Sequence, residues 1–310
     1  MIVDEKYGYL HDIPGSESFV SAKLVGGGWS PDLKFCVTNT SGEKYLLRIS
    51  DISLKDKKMA EYDILSSLKH LNISYSQPIS FGELVDHGKV YMILSWMDGE
   101  NVEIMMPRLT HEEQYKCGFE AGRILRRMHS ISSNASADAW KAKNLKKLRE
   151  RLEIYKDCDG YVIEHLDEMV SFIDNNLDLM ENRPMTFLHG DYQGRNIVVD
   201  ERCNVCVIDF ERTAYGDPYE EFNRMMTYTR KWSIDFCRGQ IDGYFEGETI
   251  PENFWRIVAF HCALNLITTI VFGVHTKQKH IYKENEIANQ VIYEDFDGYT
   301  SFAPKWFTER

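Results

Sequence analysis

Short runs rich in β-branched and aromatic residues, separated by turn residues, predict five strands in the first third of the chain. The runs are Phe19 to Val25, Lys34 to Thr38, Tyr45 to Ile49, Ile79 to Leu84 and Val90 to Trp96. A helix is predicted between the third and fourth runs, from Lys57 to Leu71, because its apolar residues recur on one helical face. The first part of the chain is therefore expected to be rich in β-structure.

The apolar residues that follow recur with the period of a helix. Thr110 and Glu113 have the spacing of a capping box, which predicts a helix from there through His129. Further helices are predicted at residues 141–155, 161–180, 223–247, 251–274 and 285–293. The most apolar segment, Ile257 to Val274, contains polar residues and is barely long enough to span a membrane, so we interpret it as a buried core helix.

The strands end in a short polar segment before the helical part begins, which is typical of a hinge between two lobes. We therefore predict an α+β protein with a small β-rich lobe at residues 1–97 and a larger, mostly helical lobe at residues 98–310.

Two further apolar runs, Ile197 to Val199 and Val205 to Ile208, are separated by a polar segment of hairpin-loop length. In an antiparallel hairpin the residue before the first strand and the residue after the second lie side by side. Here those residues are Asn196 and Asp209, whose amide and carboxylate oxygens suit Mg²⁺. The alternative is a polar turn with two capping carboxylates. Asp191 lies on the loop that enters the hairpin.

The spacing His189-x-Asp191-x-x-x-x-Asn196, followed by Asp209 and the sequence DFE, resembles the catalytic loop and metal motif of the protein-kinase-like fold. The spellings HGD and DFE resemble those of the aminoglycoside phosphotransferase family of small-molecule kinases. The resemblance implies a two-lobed protein-kinase-like fold that uses ATP or GTP with Mg²⁺. It also implies that Asp191 is the base for the substrate hydroxyl, and that Asn196 and Asp209 bind the metal.

Arg48 lies within an apolar strand, where an unpaired charge would be costly to bury, so it needs an anionic partner. Glu61, on the predicted helix, is the expected partner. In the kinase-like fold this strand carries a lysine that contacts the nucleotide phosphates, and Arg48 is expected to take that role. Gly27 and Gly28, in a glycine-rich turn, would cover the phosphates; a flexible hairpin turn is the alternative.

The resemblance also implies that backbone groups at the hinge, from Ser95 through Trp96 to Met97, hydrogen-bond the purine. Later in the chain, Asp217-Pro218 favours a turn into a helix start, so Asp217 is predicted to be a cap rather than a catalyst. Gln193 stands where protein kinases have a lysine and many small-molecule kinases a histidine. A cation from Arg195 or from the substrate would then have to steady the γ-phosphate.

The charge balance and the cysteine content limit which binding partners and which cellular compartment we expect. The 310 residues include 36 Lys and Arg against 48 Asp and Glu, a formal net charge of −12. This balance argues against nucleic acid or an anionic membrane as the main partner and suits a cationic ligand, although solubility alone also explains it. The N-terminus does not resemble a secretory signal. Seven scattered cysteines fit a reducing cytoplasm, and the oligomeric state is left open.

The expected function is transfer of the γ-phosphate of a nucleoside triphosphate to a hydroxyl of an aminoglycoside or other cationic antibiotic. Acidic residues of the last helices could contact such a substrate, or could belong to solvated helix faces. They are Asp235, Glu246, Glu294, Asp295 and Asp297. The alternatives are a metabolic kinase for choline, homoserine or a sugar, and a nucleotide-binding scaffold without catalysis. A substrate screen would separate the first two.

Overall fold

The computed structural model describes residues 5–26 and 31–309. The chain forms two compact units. Unit 1 comprises Met1–Asp98 and Cys206–Glu211, and unit 2 comprises Gly99–Val205 and Arg212–Arg310. Unit 1 is built around a sheet and unit 2 is mostly helical, so the predicted α+β class is confirmed.

Unit 1 contains a five-stranded antiparallel sheet of order β1-β2-β3-β5-β4. Its strands are β1 (Phe19–Leu24), β2 (Leu33–Asn39), β3 (Lys44–Asp51), β4 (Pro78–Leu84) and β5 (Lys89–Ser95). Helix α1 (Lys55–Ser67) follows β3 and continues as a 3₁₀ turn to Leu71. All five predicted strands and the helix are therefore confirmed. A 3₁₀ segment, Glu5–Asp12, was not predicted, and its Leu10 packs into the core with Phe35 and Leu47.

Unit 2 contains nine helices among the residues that the structure describes. They are α2 (Val102–Met105), α3 (His111–His129), α4 (Ala137–Lys156), α5 (Leu166–Asp174), α6 (Phe222–Arg224), α7 (Ile234–Tyr244), α8 (Phe254–His275), α9 (Lys279–Asp295) and α10 (Lys305–Thr308). The capping box before α3 is confirmed, since Thr110 and Glu113 each accept from the other's backbone N–H. Helix α8 is long and apolar enough to cross a membrane, but 83% of its most apolar window is buried inside the protein, as predicted for a core helix.

Two predicted helices are wrong in extent. The helix predicted at residues 161–180 is divided into α5 and a 3₁₀ turn at Leu177–Met180. The backbone before α5 bonds to side chains of other elements, since Asn289 donates to the carbonyl of Glu164 at 2.8 Å. After α5, the Asn176 side chain donates to the Phe172 carbonyl at 2.7 Å, and such a bond competes with the helical pattern. The helix predicted at 223–247 is divided into α6, a π-helix at Met225–Thr229, and α7.

Five short strands follow the sheet of unit 1 along the chain. They are β6 (Glu100–Asn101), β7 (Thr186–Leu188), β8 (Ile197–Val199), β9 (Val205–Val207) and β10 (Ala214–Gly216). Strands β8 and β9 match the two predicted hairpin runs, and the Asp200 N–H donates to the Asn204 carbonyl at 3.1 Å across the loop between them. Strands β6, β7 and β10 were not predicted, because runs of two or three residues carry no periodic signal.

Helices α3 and α7 pack with their backbones in contact through four glycines. A Cβ on Gly122 would lie 2.2 Å from the Gln240 carbonyl oxygen, and one on Gly243 would lie 1.9 Å from that of Phe119. Gly118 and Gly239 are equally crowded, at 2.0 Å and 2.1 Å from opposing carbonyl oxygens. Since real Cβ contacts are never this short, any larger residue at these positions must separate the helices.

Gly243→Ala is therefore expected to destabilise the protein by about 1–3 kcal/mol, the usual cost of overpacking. Alanine has the higher helix propensity by about 1 kcal/mol, so without the close approach the substitution would stabilise. Urea unfolding measures the difference. Gly8→Ala is the control, because a Cβ at Gly8 meets no atom within 4 Å. Equal midpoints for wild type and Gly243→Ala would contradict the close packing.

Candidate active site

The loop between β7 and β8 carries the predicted catalytic residue, and a buried carboxylate holds its backbone. Glu221 accepts the backbone N–H of His189 at 2.7 Å and that of Gly190 at 2.8 Å, one on each carboxylate oxygen. Burial opposes ionisation of Glu221, but the nearby His129 and His189 hold its pKa below the usual range. The start of the loop is thus fixed by charge-assisted hydrogen bonds inside unit 2.

Gly190 is required in this loop by both its conformation and its surroundings. Its φ is +81°, in the left-handed region that favours glycine, and a Cβ would lie 1.9 Å from the Arg212 carbonyl oxygen. This explains the glycine between His189 and Asp191 in physical terms. The backbone of the loop passes too close to the following segment to admit a side chain.

The Asp191 carboxylate is surrounded by donors but remains partly accessible, with 16% of its side chain exposed. Gln193 Nε2 donates to Oδ1 at 3.1 Å, and Asn196 Nδ2 lies 3.2 Å from Oδ2. The Nε of Arg224 is 3.6 Å from Oδ1. Because a carboxylate oxygen has two lone pairs, each oxygen keeps an acceptor position for a substrate proton.

The two predicted metal ligands have suitable donor atoms. Asn196 ends the 3₁₀ turn before β8, and its amide nitrogen is bound to the Asp191 carbonyl at 2.9 Å, which leaves its amide oxygen as the metal-binding atom. Asp209, in unit 1, is exposed and has a φ of 67°, a conformation that costs energy for a residue with a Cβ. No group of three or more His, Cys, Asp or Glu suited to a metal occurs in the described part of the chain. Taken separately, an amide oxygen and a carboxylate oxygen are both of the ligand type that Mg²⁺ prefers.

Arg48 is buried in unit 1 and bound by three carboxylates. Its NH1 donates to Glu61 at 2.5 Å, so the predicted pair is present. Its NH2 donates to Asp32 at 2.6 Å and also bonds Glu211. Burial opposes the charge on Arg48, but the carboxylates of Glu61, Glu211 and Asp32 raise its pKa above the usual value.

A second buried cation, Lys58, completes this cluster. Lys58 donates to Asp32 at 2.6 Å and to Glu211 at 3.0 Å, and Ser50 donates to Asp32 at 2.7 Å. Despite burial, the bonds from Lys58, Arg48 and Ser50 hold the pKa of Asp32 well below its usual range. Sequence reasoning missed Asp32, Lys58 and Glu211. Two of them could have been found in the sequence. Lys58 lies three residues before Glu61 on α1, and Glu211 is the glutamate of the sequence DFE.

The remaining nucleotide-binding predictions concern the hinge and the glycine turn. The backbone N–H of Ser95 is bound to the Gln77 carbonyl at 2.8 Å, and its hydroxyl accepts the Gln77 N–H at 2.8 Å. The backbone N–H and the hydroxyl of Ser95 are therefore both bound to Gln77 within unit 1. Gly27 and Gly28 lie outside the described residues.

Asp217 is the predicted cap, and the structure confirms this role. Its carboxylate accepts the Tyr219 N–H at 3.0 Å. It also accepts two bonds from Arg183, at 2.7 and 2.8 Å, and contacts His261 Nε2 at 3.1 Å. Although burial opposes ionisation, His261 and Arg183 lower the pKa of Asp217 to about 2. Asp217 thus joins the segment before β7 to the turn that carries Glu221 and to α8.

The acidic residues predicted as possible substrate contacts are mostly paired within unit 2. Asp295 accepts from Arg230 at 2.7 Å, and Glu246 lies 3.1 Å from Arg123. The other contacts are Asp235 with His111 and Arg238, Asp297 with Lys305, and Glu294 with Gln290. A cationic substrate would have to compete with these internal partners.

Asp217→Asn should destabilise the protein by about 3 kcal/mol near neutral pH, because it leaves the Arg183 charge without its buried counter-ion. The folded-state pKa of Asp217, about 2, lies below its unfolded value near 3.9. Its stabilising effect is therefore complete above about pH 4 and is lost as the pH falls toward 2.

Urea unfolding at several pH values tests this, with Glu153→Gln as the control. Glu153 forms an exposed pair with Lys156, and such pairs contribute about 1 kcal/mol or less. If the difference in unfolding free energy between wild type and Asp217→Asn stays constant from pH 6 to pH 3, the lowered pKa of Asp217 is contradicted.

Comparison with known proteins identifies a matching family and similar solved structures. The model of the Phosphotransferase enzyme family (APH) matches residues 21–257. No curated protein matches the sequence. Similar solved structures include wild-type aminoglycoside 2'-phosphotransferase-IIIa with GDP, which is 15% identical with a TM-score of 0.70 and coverage of 94% of this chain and 99% of that one.

Two further structures extend the comparison. The gentamicin complex of APH(2")-IIa is 17% identical with a TM-score of 0.63, covering 94% and 97% of the two chains. The amicoumacin kinase hAmiN, in complex with AMP-PNP and Ca²⁺, is 10% identical with a TM-score of 0.64, covering 99% and 98%. These likenesses confirm the predicted two-lobed protein-kinase-like fold. Since the family model matches residues 21–257, which is most of the chain, this protein belongs to the Phosphotransferase enzyme family.

Proposed function

We propose that this phosphotransferase transfers the γ-phosphate of ATP or GTP to a hydroxyl of a small molecule, an aminoglycoside or another cationic antibiotic. The observation that carries the proposal is the Asp191 carboxylate, which is held by three side chains on a braced loop and yet keeps free acceptor positions. Structural neighbours that bind GDP, AMP-PNP and gentamicin support the nucleotide and the substrate class.

In this proposal Asp191 accepts the proton of the acceptor hydroxyl. The acceptor oxygen forms a bond to the γ-phosphorus while the bond from that phosphorus to the β–γ bridging oxygen breaks, so that a nucleoside diphosphate leaves. Asn196 and Asp209 would hold Mg²⁺, which supplies positive charge to the phosphates. Residues 98–310 would form the catalytic and substrate-binding lobe of a cytoplasmic enzyme.

Residues 1–97 would form the nucleotide-binding lobe, with Arg48 directed to the phosphates. Both donors of the Arg48 NH2 group already bind carboxylates, so a phosphate that binds this nitrogen would replace one of them. Glu211 is the best candidate for exchange, because 19% of its side chain is exposed, against 1% for Asp32 and 6% for Glu61. Gly27 and Gly28 would cover the phosphates, and the backbone from Ser95 to Met97 would bind the purine.

A metabolic kinase for a small alcohol such as choline, homoserine or a sugar is the second candidate. It is favoured by the internal pairing of the acidic residues in unit 2, since Asp295 and Glu246 each have an arginine partner. A neutral or singly charged substrate needs fewer exposed carboxylates than a polyamine. A scaffold without catalysis is the third, and the complete motif from Asp191 to Asp209 argues against it.

Asp191→Asn should lower kcat by roughly 10²- to 10⁴-fold, the usual range for a lost acid–base group. Nucleotide affinity should stay nearly unchanged, because the side chain acts on the acceptor hydroxyl. The assay offers ATP and GTP with aminoglycosides, cyclic-peptide and macrolide antibiotics, choline and sugars, and measures phosphorylated product and nucleotide binding.

Arg48→Ala is the matched comparison, because it should weaken nucleotide binding more than it lowers kcat. Efficient turnover of choline or a sugar alone would move the protein to the metabolic alternative with the same mechanism. Full turnover by Asp191→Asn on any accepted substrate would show that Asp191 is not the base.

Asp209→Ala and Asn196→Ala should each weaken nucleotide binding in the presence of Mg²⁺ but much less in EDTA, because a metal ligand contributes only when the metal is bound. Calorimetric titration with a non-hydrolysable nucleotide measures both conditions. Asp200→Ala, in the loop between β8 and β9, controls for local disturbance of the hairpin. If either ligand variant loses the same affinity in EDTA as in Mg²⁺, that residue does not bind the metal.

A further inference from the structure

Between Asp191 and Asn196 the loop carries one basic residue, Arg195. The nearest arginine in sequence, Arg195, is held by other residues. Its Nε donates to Glu103 at 2.9 Å, and its NH2 lies 3.6 Å from Glu284. Arg195 is therefore paired with carboxylates of α2 and α9, and not with Asp191.

Arg224 has the contacts that Arg195 lacks. Its Nε lies 3.6 Å from Asp191 Oδ1, the same oxygen that accepts from Gln193. Within residues 5–26 and 31–309, Asp191 is the carboxylate that pairs with this guanidinium within 4 Å. Only 19% of the Arg224 side chain and 16% of the Asp191 side chain are exposed, so solvent screens the pair less than a surface ion pair.

The backbone that carries Arg224 also carries the brace of the loop. Glu221 and Arg224 are three residues apart at the start of the same helical segment, so both side chains project toward one side. Glu221 holds the backbone N–H groups of His189 and Gly190, and Arg224 faces the Asp191 carboxylate. One turn of helix thus contacts the catalytic loop at both its backbone and its functional side chain.

A further contact restrains the guanidinium itself. It lies 5.7 Å from the centre of the Tyr228 ring, and the Tyr228 hydroxyl is bound to Asn285 at 3.1 Å. Tyr228 belongs to the π-helix Met225–Thr229, a local distortion that is frequent at functional sites. Arg224 is consequently packed on an aromatic face that is itself fixed, which lowers the entropy cost of orienting it.

We propose that Arg224 is a positioning residue of the phosphoryl transfer, which orients the Asp191 carboxylate and places a positive charge beside it. The inference rests on the proposed function, in which Asp191 is the base. Arg224 lies beside Oδ1 of Asp191 and Asn196 donates to Oδ2. The plane of the carboxylate is therefore fixed, while a lone pair remains for the proton of the acceptor hydroxyl. A base misplaced by about 1 Å can lose about 10²-fold in rate.

The test compares Arg224→Gln, Arg224→Lys and Arg230→Gln with wild type and Asp191→Asn in one phosphorylation assay. Arg230 is the matched control, because its exposure is also 19% and it pairs with a carboxylate, Asp295, at 2.7 Å. Arg224→Gln should lower kcat roughly 10- to 100-fold while nucleotide KM changes less than about twofold. Arg224→Lys should recover part of the loss because it restores the charge, and Arg230→Gln should keep kcat.

The outcomes distinguish the inference from the proposed function. If Asp191→Asn is inactive and Arg224→Gln retains wild-type kcat, the role of Arg224 is wrong while Asp191 remains the base. If Asp191→Asn itself retains activity, the proposed mechanism fails first. Should Arg224→Gln fail to bind nucleotide, Arg224→Lys decides: a folded lysine variant as slow as Asp191→Asn would overturn the charge argument, and partial activity would support it.

Discussion

The buried carboxylate of Glu221 is the constraint on which the candidate active site depends. It binds two successive backbone N–H groups at the start of the loop that carries Asp191, where no strand or helix would otherwise satisfy them. A carboxylate in that position remains ionised because histidines surround it. The loop can therefore hold an unusual backbone path, including the left-handed Gly190, without regular secondary structure.

The turn that carries Glu221 is itself fixed by Asp217. This carboxylate caps the turn, accepts two bonds from Arg183 and contacts His261 in the core helix α8. Each of these groups is buried or nearly so, which makes the arrangement costly to break. The position of the candidate catalytic loop thus depends on two buried carboxylates outside it, Asp217 and Glu221, and not on the loop residues alone.

Unit 1 contains a separate cluster of buried charged side chains. Arg48 and Lys58 are buried beside Asp32, Glu61 and Glu211, and the mutual pairing makes burial of all these charges tolerable. Three carboxylates against two cations leave the cluster with a negative balance. Under the proposed function, this negative balance would oppose the approach of a nucleotide phosphate unless a carboxylate moves away or a metal ion accompanies the phosphate.

The sequence by itself determined the strands of unit 1, the capping box of α3, the buried character of α8 and the catalytic motif, because each depends on local periodicity or on a fixed spacing of residues. It also indicated the partner of Arg48, since an apolar strand cannot bury a lone charge. It could not show the interruption of the helix predicted at 223–247, nor the short strands β6, β7 and β10.

Apart from the Arg48–Glu61 pair, only the tertiary structure decided which charged residues meet. Glu221 and Arg224 lie more than 25 residues from Asp191 in the sequence, and Asp32 lies 16 residues before Arg48. Their partners are set by the packing of separate elements, which a pattern along the chain does not encode. The same holds for Arg195, whose place in the loop suggested a catalytic cation but whose side chain is bound to Glu103, because pairing depends on distance in space and not on position in a motif.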